Sequence, residues 1–81
     1  MRFRYSRRFL TQYAAAPPAV RRAFDKQGAF LLQDLHHPSL RAKKYDESSG
    51  VWQARVNRDW RFWFTIDRGE YHLHTLTPHP K

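Results

Sequence analysis

Three arginines and all three tryptophans fall within one stretch, Val51–Ile66, and their spacing decides what chemistry they can do. Trp52, Ala54 and Val56 share one parity, with Gln53, Arg55 and Asn57 on the other. Past the polar Asn57-Arg58-Asp59, the apolar parity is Trp60, Phe62, Phe64 and Ile66, and the second parity is Arg61, Trp63 and Thr65. Successive strand side chains point to opposite faces, so the pattern predicts an antiparallel pair with one apolar face. The other face carries Arg55 and Arg61 beside Trp63. A guanidinium held by a strand offers forked donors at a fixed place, which suits a phosphate or carboxylate. The plain alternative is that these are solvated sheet residues with no role.

The remaining residues must fold so as to hold that surface. A chain of 81 residues forms one domain, 1–81, with room for a single core. It has no cysteine, so neither disulfides nor a thiolate zinc site can brace it, and its 16% aromatic content must fill the core instead. No apolar run reaches the roughly 18 residues of a membrane span. Met1-Arg2-Phe3-Arg4-Tyr5 lacks the apolar segment of a signal peptide, so a cytoplasmic protein away from membranes is expected. Fifteen basic against seven acidic residues give a formal charge of +8, which predicts a polyanionic partner: nucleic acid or an acidic protein.

Residues 2–5 alternate Arg, Phe, Arg, Tyr, as a short first strand with inward aromatics would. Ser6 is placed to cap a helix in which Phe9, Leu10 and Tyr13 share a side. Pro17-Pro18 ends it and opens the next helix, since proline is tolerated in a first turn. From Ala19 to about Leu35, the positions Val20, Phe24, Gln27, Leu31 and Leu35 form a helical stripe, which His36-His37-Pro38 stops. Gly28 is a mild defect within it. Residues 38–50 read as the longest connection, with Leu40 and Tyr45 pinning it and Arg41, Lys43 and Lys44 making it basic. Asp67-Arg68-Gly69-Glu70 is a turn, with Gly69 suited to a positive φ. Tyr71–Thr77 is a final strand whose inner face is contested, because Tyr71 and Leu73 have the opposite parity to Leu76. The prediction is an α+β two-layer domain: strand, helix, helix, then three antiparallel strands, with the helical hairpin on one sheet face and the other face open.

This combination resembles the RelE/ParE superfamily of type II toxin–antitoxin toxins, in particular its mRNA-cleaving branch. The likeness covers nearly the whole chain. It rests on the helical hairpin, Leu40-Arg41-Ala42-Lys43-Lys44, Gln53-Ala54-Arg55-Val56-Asn57, Trp60-Arg61-Phe62-Trp63-Phe64 and Thr77-Pro78-His79. The resemblance implies an active site on the open sheet face. Arg61 then matches the arginine of the aromatic-Arg-apolar strand, Arg55 a basic position on the preceding strand, and His79 a basic or histidine position after the last strand. Two departures stand out: no tyrosine or helix follows His79, and Gln53 stands where some members have lysine.

Cleaving RNA without a metal or other cofactor needs a base for the 2′-hydroxyl, cations for the phosphorane and an acid for the 5′-oxygen. Arg61, Arg55 and His79 are the candidate catalytic set, the arginines supplying charge and the histidine a proton carrier. Arg41, Lys43, Lys44, Arg58, Trp63 and Lys81 are the candidate RNA-binding residues, with Trp63 placed to stack a base or to pack under a loop. His72 and His74 are a weak metal signal, as two histidines without a supporting carboxylate. The reading is a toxin-type endoribonuclease acting on mRNA in the ribosome and neutralised by a cognate acidic antitoxin. Its rivals are a ParE-like inhibitor of DNA gyrase and a non-catalytic nucleic-acid-binding domain.

Overall fold

Ser6 starts the first helix as its type predicts: its Oγ accepts a hydrogen bond from Phe9 N at 3.0 Å, satisfying a donor that a helix end leaves free. Pro18 opens the second helix at a position where the missing N–H costs nothing. These local signals sit within a computed structural model that describes residues 1–79; Lys81, a candidate RNA contact, lies outside them. The elements run β1 (Arg2–Tyr5), α1 (Arg7–Ala15), α2 (Pro18–Gln33), a 3-10 turn (Pro38–Leu40), β2 (Lys43–Asp46), β3 (Val51–Arg55), β4 (Trp60–Asp67) and β5 (Glu70–Pro78). The fold is α+β, two helices with a five-stranded mixed sheet in the order β1-β5-β4-β3-β2. The first strand pairs parallel to the last, and the other pairings are antiparallel.

Phe24, Gln27, Gly28 and Leu31 turn inward from α2 onto Ala54, Phe62, Phe64, Leu73 and Leu76 of the sheet and Val56 just past β3. The core is aromatic, as the composition requires. Phe24 sits edge-on to Phe62 with ring centres 5.1 Å apart, and Phe64 edge-on to Tyr71 at 5.5 Å. Gly28 is more than a defect in a helix: a Cβ there would come within 3.1 Å of the Phe3 ring, so its absence lets β1 close on α2.

Four expectations need correction. Residues 43–46 are not connection but an edge strand, paired to β3 through Lys43↔Gln53 and Lys44↔Trp52. All four of its residues are exposed, so no apolar alternation marks it. The second helix stops at Gln33, short of Leu35, because the Asp34 backbone turns extended and its Oδ1 accepts from His36 N at 2.9 Å. Ile66 and Tyr5 keep their parity but stay 42% and 46% exposed, near the ends of their strands, Tyr5 with one side of its ring against Phe9 of α1.

The contested inner face of β5 is resolved by a bulge. Pairing runs Trp63↔Thr75 and then Phe64↔Leu73, so His74 is an extra residue on β5. One inserted residue reverses the parity, which lets Tyr71, Leu73 and Leu76 all face the core. The outer edge of β5 is covered in two parts: β1 pairs with it as far as Leu73, and α1 continues from there. Ser6 Oγ donates to the His74 carbonyl at 2.9 Å, and Gln12 Oε1 accepts from Leu76 N at 2.8 Å. Side chains thus satisfy backbone groups that an open edge would leave to another chain.

Candidate functional site

The register of the sheet turns the alternating pattern into a surface. Arg55 lies directly opposite Arg61, and Arg61 opposite Thr77. In the neighbouring row Lys43 faces Gln53, Gln53 faces Trp63, and Trp63 faces Thr75. Two like charges opposite one another weaken a strand pair, so the Arg55–Arg61 juxtaposition does not serve the sheet.

Arg61 is held at one end. Its Nη1 donates to the carbonyls of Asn57 at 2.8 Å, Trp60 at 2.9 Å and Arg58 at 3.3 Å. The β3–β4 turn that offers them is itself shaped by Asn57 Oδ1, which accepts from Asp59 N and Trp60 N, both at 2.9 Å. Burial, then the Arg55 and Arg41 charges, lower the Arg61 pKa, with Asp59 opposing; the guanidinium nonetheless stays charged at any physiological pH. Among the described residues, no ion pair includes Arg41, Lys43, Arg55 or Arg61.

His79 is brought to the same place from the far end of the chain. Its backbone N–H donates to the Asp59 carbonyl at 2.6 Å, tying the end of β5 to the β3–β4 turn. Arg41 enters from the other side. It closes the 3-10 turn in the left-handed region, at φ 46°, a conformation with a cost for a residue bearing a Cβ. Together Arg41, Lys43, Gln53, Arg55, Arg61 and His79 line a cleft of about 250 Å³.

The cleft brings together the three candidate catalytic residues and two of the candidate RNA contacts, Arg41 and Lys43. The others lie elsewhere. Arg58 sits at the β3–β4 turn on a second groove. Trp63 lines a shallow, open basin of about 420 Å³ with Arg8, Gln12, Thr75 and Thr77, next to the cleft on the same sheet face. Lys44 has the parity of Trp52, with its Nζ 5.8 Å from that ring and 3.7 Å from Glu47, so it faces away from the cleft. Adjacent residues on a strand cannot serve one site, and Lys43 and Lys44 are parted for that reason.

One participant escapes a reading by residue type. Gln27 is 2% exposed, in the middle of the apolar stripe of α2. Its Nε2 donates to the carbonyls of Ser39 at 2.9 Å and Arg55 at 2.8 Å, and its Oε1 accepts from Ser39 Oγ at 2.8 Å. It thereby fixes Arg55 and the turn leading to Arg41 against the helix. The only signal in the sequence was a polar residue where the stripe calls for an apolar one.

Among the described residues, no group of three or more His, Cys, Asp or Glu, His72 and His74 included, is placed to hold an ion. His74 Nε2 instead shares a hydrogen bond with Thr65 Oγ1 at 2.8 Å, and His72 Nε2 lies 3.8 Å from Glu70. Among the described residues, no helix is long and apolar enough to cross a membrane.

This architecture, a helical hairpin against a five-stranded sheet, is shared with solved structures of RelE- and YoeB/ParE-type toxins. Among solved structures, the chain is similar to the YoeB/ParE toxin from Agrobacterium tumefaciens, with a TM-score of 0.82 over 99% of this chain and 100% of that one, at 9% identity. It is similar to the archaeal RelE of the RelE–RelB complex from Pyrococcus horikoshii, with a TM-score of 0.79 over 95% and 92% of the two chains at 16% identity. It also matches the YoeB–YefM toxin–antitoxin complex from Staphylococcus aureus, with a TM-score of 0.78 over 96% and 95% at 12% identity. No family model matches the sequence, and neither does any curated protein. At such identities the fold is what is shared.

Proposed function

We propose that this protein is a toxin of the RelE/ParE type that cleaves mRNA, acts in the ribosome, and is held in check by a cognate acidic antitoxin. The observation that carries the reading is the meeting of Arg55, Arg61 and His79 in one cleft, with Arg41 and Lys43 at its rim. The arginines supply charge and forked donors where the phosphorane develops negative charge. His79 carries a proton to the leaving 5′-oxygen or from the attacking 2′-hydroxyl. Gln53, standing between Lys43 and Trp63, orients the substrate by its amide and is no base. Trp63, with its basin open, receives a base splayed out beside the bound phosphate. Two residues along one strand are about 6.7 Å apart, so Arg61 and Trp63 stand about one nucleotide from each other.

A gyrase inhibitor on the same fold has no need of a convergent acid–base set, and this observation favours the nuclease. The charge of +8 and the uncovered cationic face support an acidic partner that folds on binding, as does the likeness to a toxin found with its antitoxin. Induced expression of the chain alone is expected to arrest growth, and primer extension of transcripts to reveal discrete cuts inside reading frames. Intact transcripts with blocked replication would instead establish the gyrase reading. Harmless accumulation of folded protein would defeat both.

A further inference from the structure

Beside the cleft runs a second groove, of about 500 Å³, between α2, the 3-10 turn and the β3–β4 turn. Its charged residues are Lys26, Arg41, Arg55 and Arg58, and no acidic residue lines it. Arg41 and Arg55 line the cleft as well, so they form the ridge between the two cavities. Lys26 and Arg58 are exposed and belong to the groove alone, and neither takes part in an ion pair among the described residues.

Several hydrogen-bond acceptors along the groove are already engaged. The Gln27 side chain and the Ser39 and Arg55 carbonyls are spent on one another. Asn57 Oδ1 is spent on Asp59 N and Trp60 N, which leaves its Nδ2 as a donor on the wall. A peptide backbone needs donors and acceptors in turn, whereas a phosphodiester offers acceptors alone. Four cations and the Asn57 amide, set among Ala23, Pro38 and Val56, suit the phosphates and sugars of a phosphodiester strand.

We infer that this groove carries the sugar–phosphate backbone of the RNA strand that continues beyond the cleft. Lys26 and Arg58 each neutralise a phosphate flanking the one held by Arg55 and Arg61. The substrate is therefore read as an extended oligomer and not as a single linkage. The inference rests on the reading of the cleft as an RNA phosphate site.

Binding of 2′-O-methyl oligoribonucleotides, which have no free 2′-hydroxyl and are not cut, tests it separately from cleavage. Dye-labelled oligomers from a dinucleotide upward are titrated by fluorescence anisotropy over a series of salt concentrations. The parent is expected to gain affinity with each nucleotide until the groove is filled. In Lys26→Gln/Arg58→Gln that gain should disappear. The log–log salt slope on long oligomers should flatten by about 1.4, at roughly 0.7 for each phosphate of a single strand, while Lys26→Arg keeps the parental slope. An unchanged length dependence and slope in the double variant would overturn the inference and leave the cleft reading intact. A parent that binds no oligomer of any length would sink the cleft reading first. If the double variant loses binding to poly-glutamate but keeps the RNA slope, the groove is a protein site and the inference falls.

Discussion

Arg61 does two things at once, and their separation is the clearest test of the site. One end of its guanidinium ties down the β3–β4 turn, and the charge as a whole stands against Arg55. Removing the side chain forfeits hydrogen bonds of about 1 kcal/mol each and also relieves the like-charge pairing. Arg61→Ala should therefore lower stability by only about 1–2 kcal/mol in urea unfolding. RNA cleavage should fall by about 10²–10³, the usual cost of losing one preorganised donor to a transition state. Arg61→Lys keeps the charge but cannot hold the turn carbonyls and reach the phosphate together, so it should recover little of that loss. Phe62, fully buried next to it, behaves in the opposite way: Phe62→Ala should cost about 3–5 kcal/mol through the cavity it leaves. An Arg61→Ala protein that cleaves like the parent would remove the residue from the mechanism.

At the scale of elements, the site depends on how α2 grips β3 and how β5 is bent. Gln27→Leu keeps the size of the side chain and strips two buried carbonyls of their donor, at about 1–3 kcal/mol each. We expect a loss of about 2–4 kcal/mol in denaturant unfolding and slower cleavage as Arg55 loses its anchor. Unaltered stability would mean that water replaces the amide at no cost. The bulge supplies a second test. Burial and the neighbouring His72 hold the His74 pKa below the ordinary imidazole value. The folded state then binds a proton less readily than the unfolded chain does. The contribution of His74 to stability is whole above about pH 6.5 and is lost as pH falls from there through the depressed folded value. The melting temperature should therefore fall below that pH, and His74→Gln should flatten the dependence. A parental slope retained in the variant would assign the effect to other groups.

In the charge of the whole molecule, the edge strand β2 provides a sorting by face that can be measured. Lys43 opens onto the cleft and Lys44 onto the opposite side, so the two adjacent lysines should differ. Lys43→Ala is expected to reduce the salt slope of RNA binding by about 0.7, and Lys44→Ala to leave it near the parental value. Equal effects would show that the electrostatic field of the whole chain, and not a defined path, holds the RNA. The same sorting bears on the proposed control by an antitoxin. An acidic segment that covers the cleft also covers the ridge of Arg41 and Arg55, and so closes both cavities together.

The sequence by itself determined the two helices, the β3–β4 pair, the inward and outward faces of both strands, and Arg55 and Arg61 side by side. These follow from short-range rules: the period of two along a strand, a serine cap, and prolines at a helix start. The polar position of Gln27 in its stripe was legible too, though not its purpose. Tertiary structure alone decided the rest. Edge strand β2 is exposed at every residue and leaves no apolar trace, so only its pairing with β3 defines it. The parity of β5 is settled by a one-residue bulge, which depends on what the core on either side accepts. The cleft joins Arg41, Arg61 and His79, residues far apart in the chain, through a left-handed turn and one backbone bond from His79 to Asp59. Contacts of that kind join segments whose sequences carry no mark of one another, and only the folded chain brings them together.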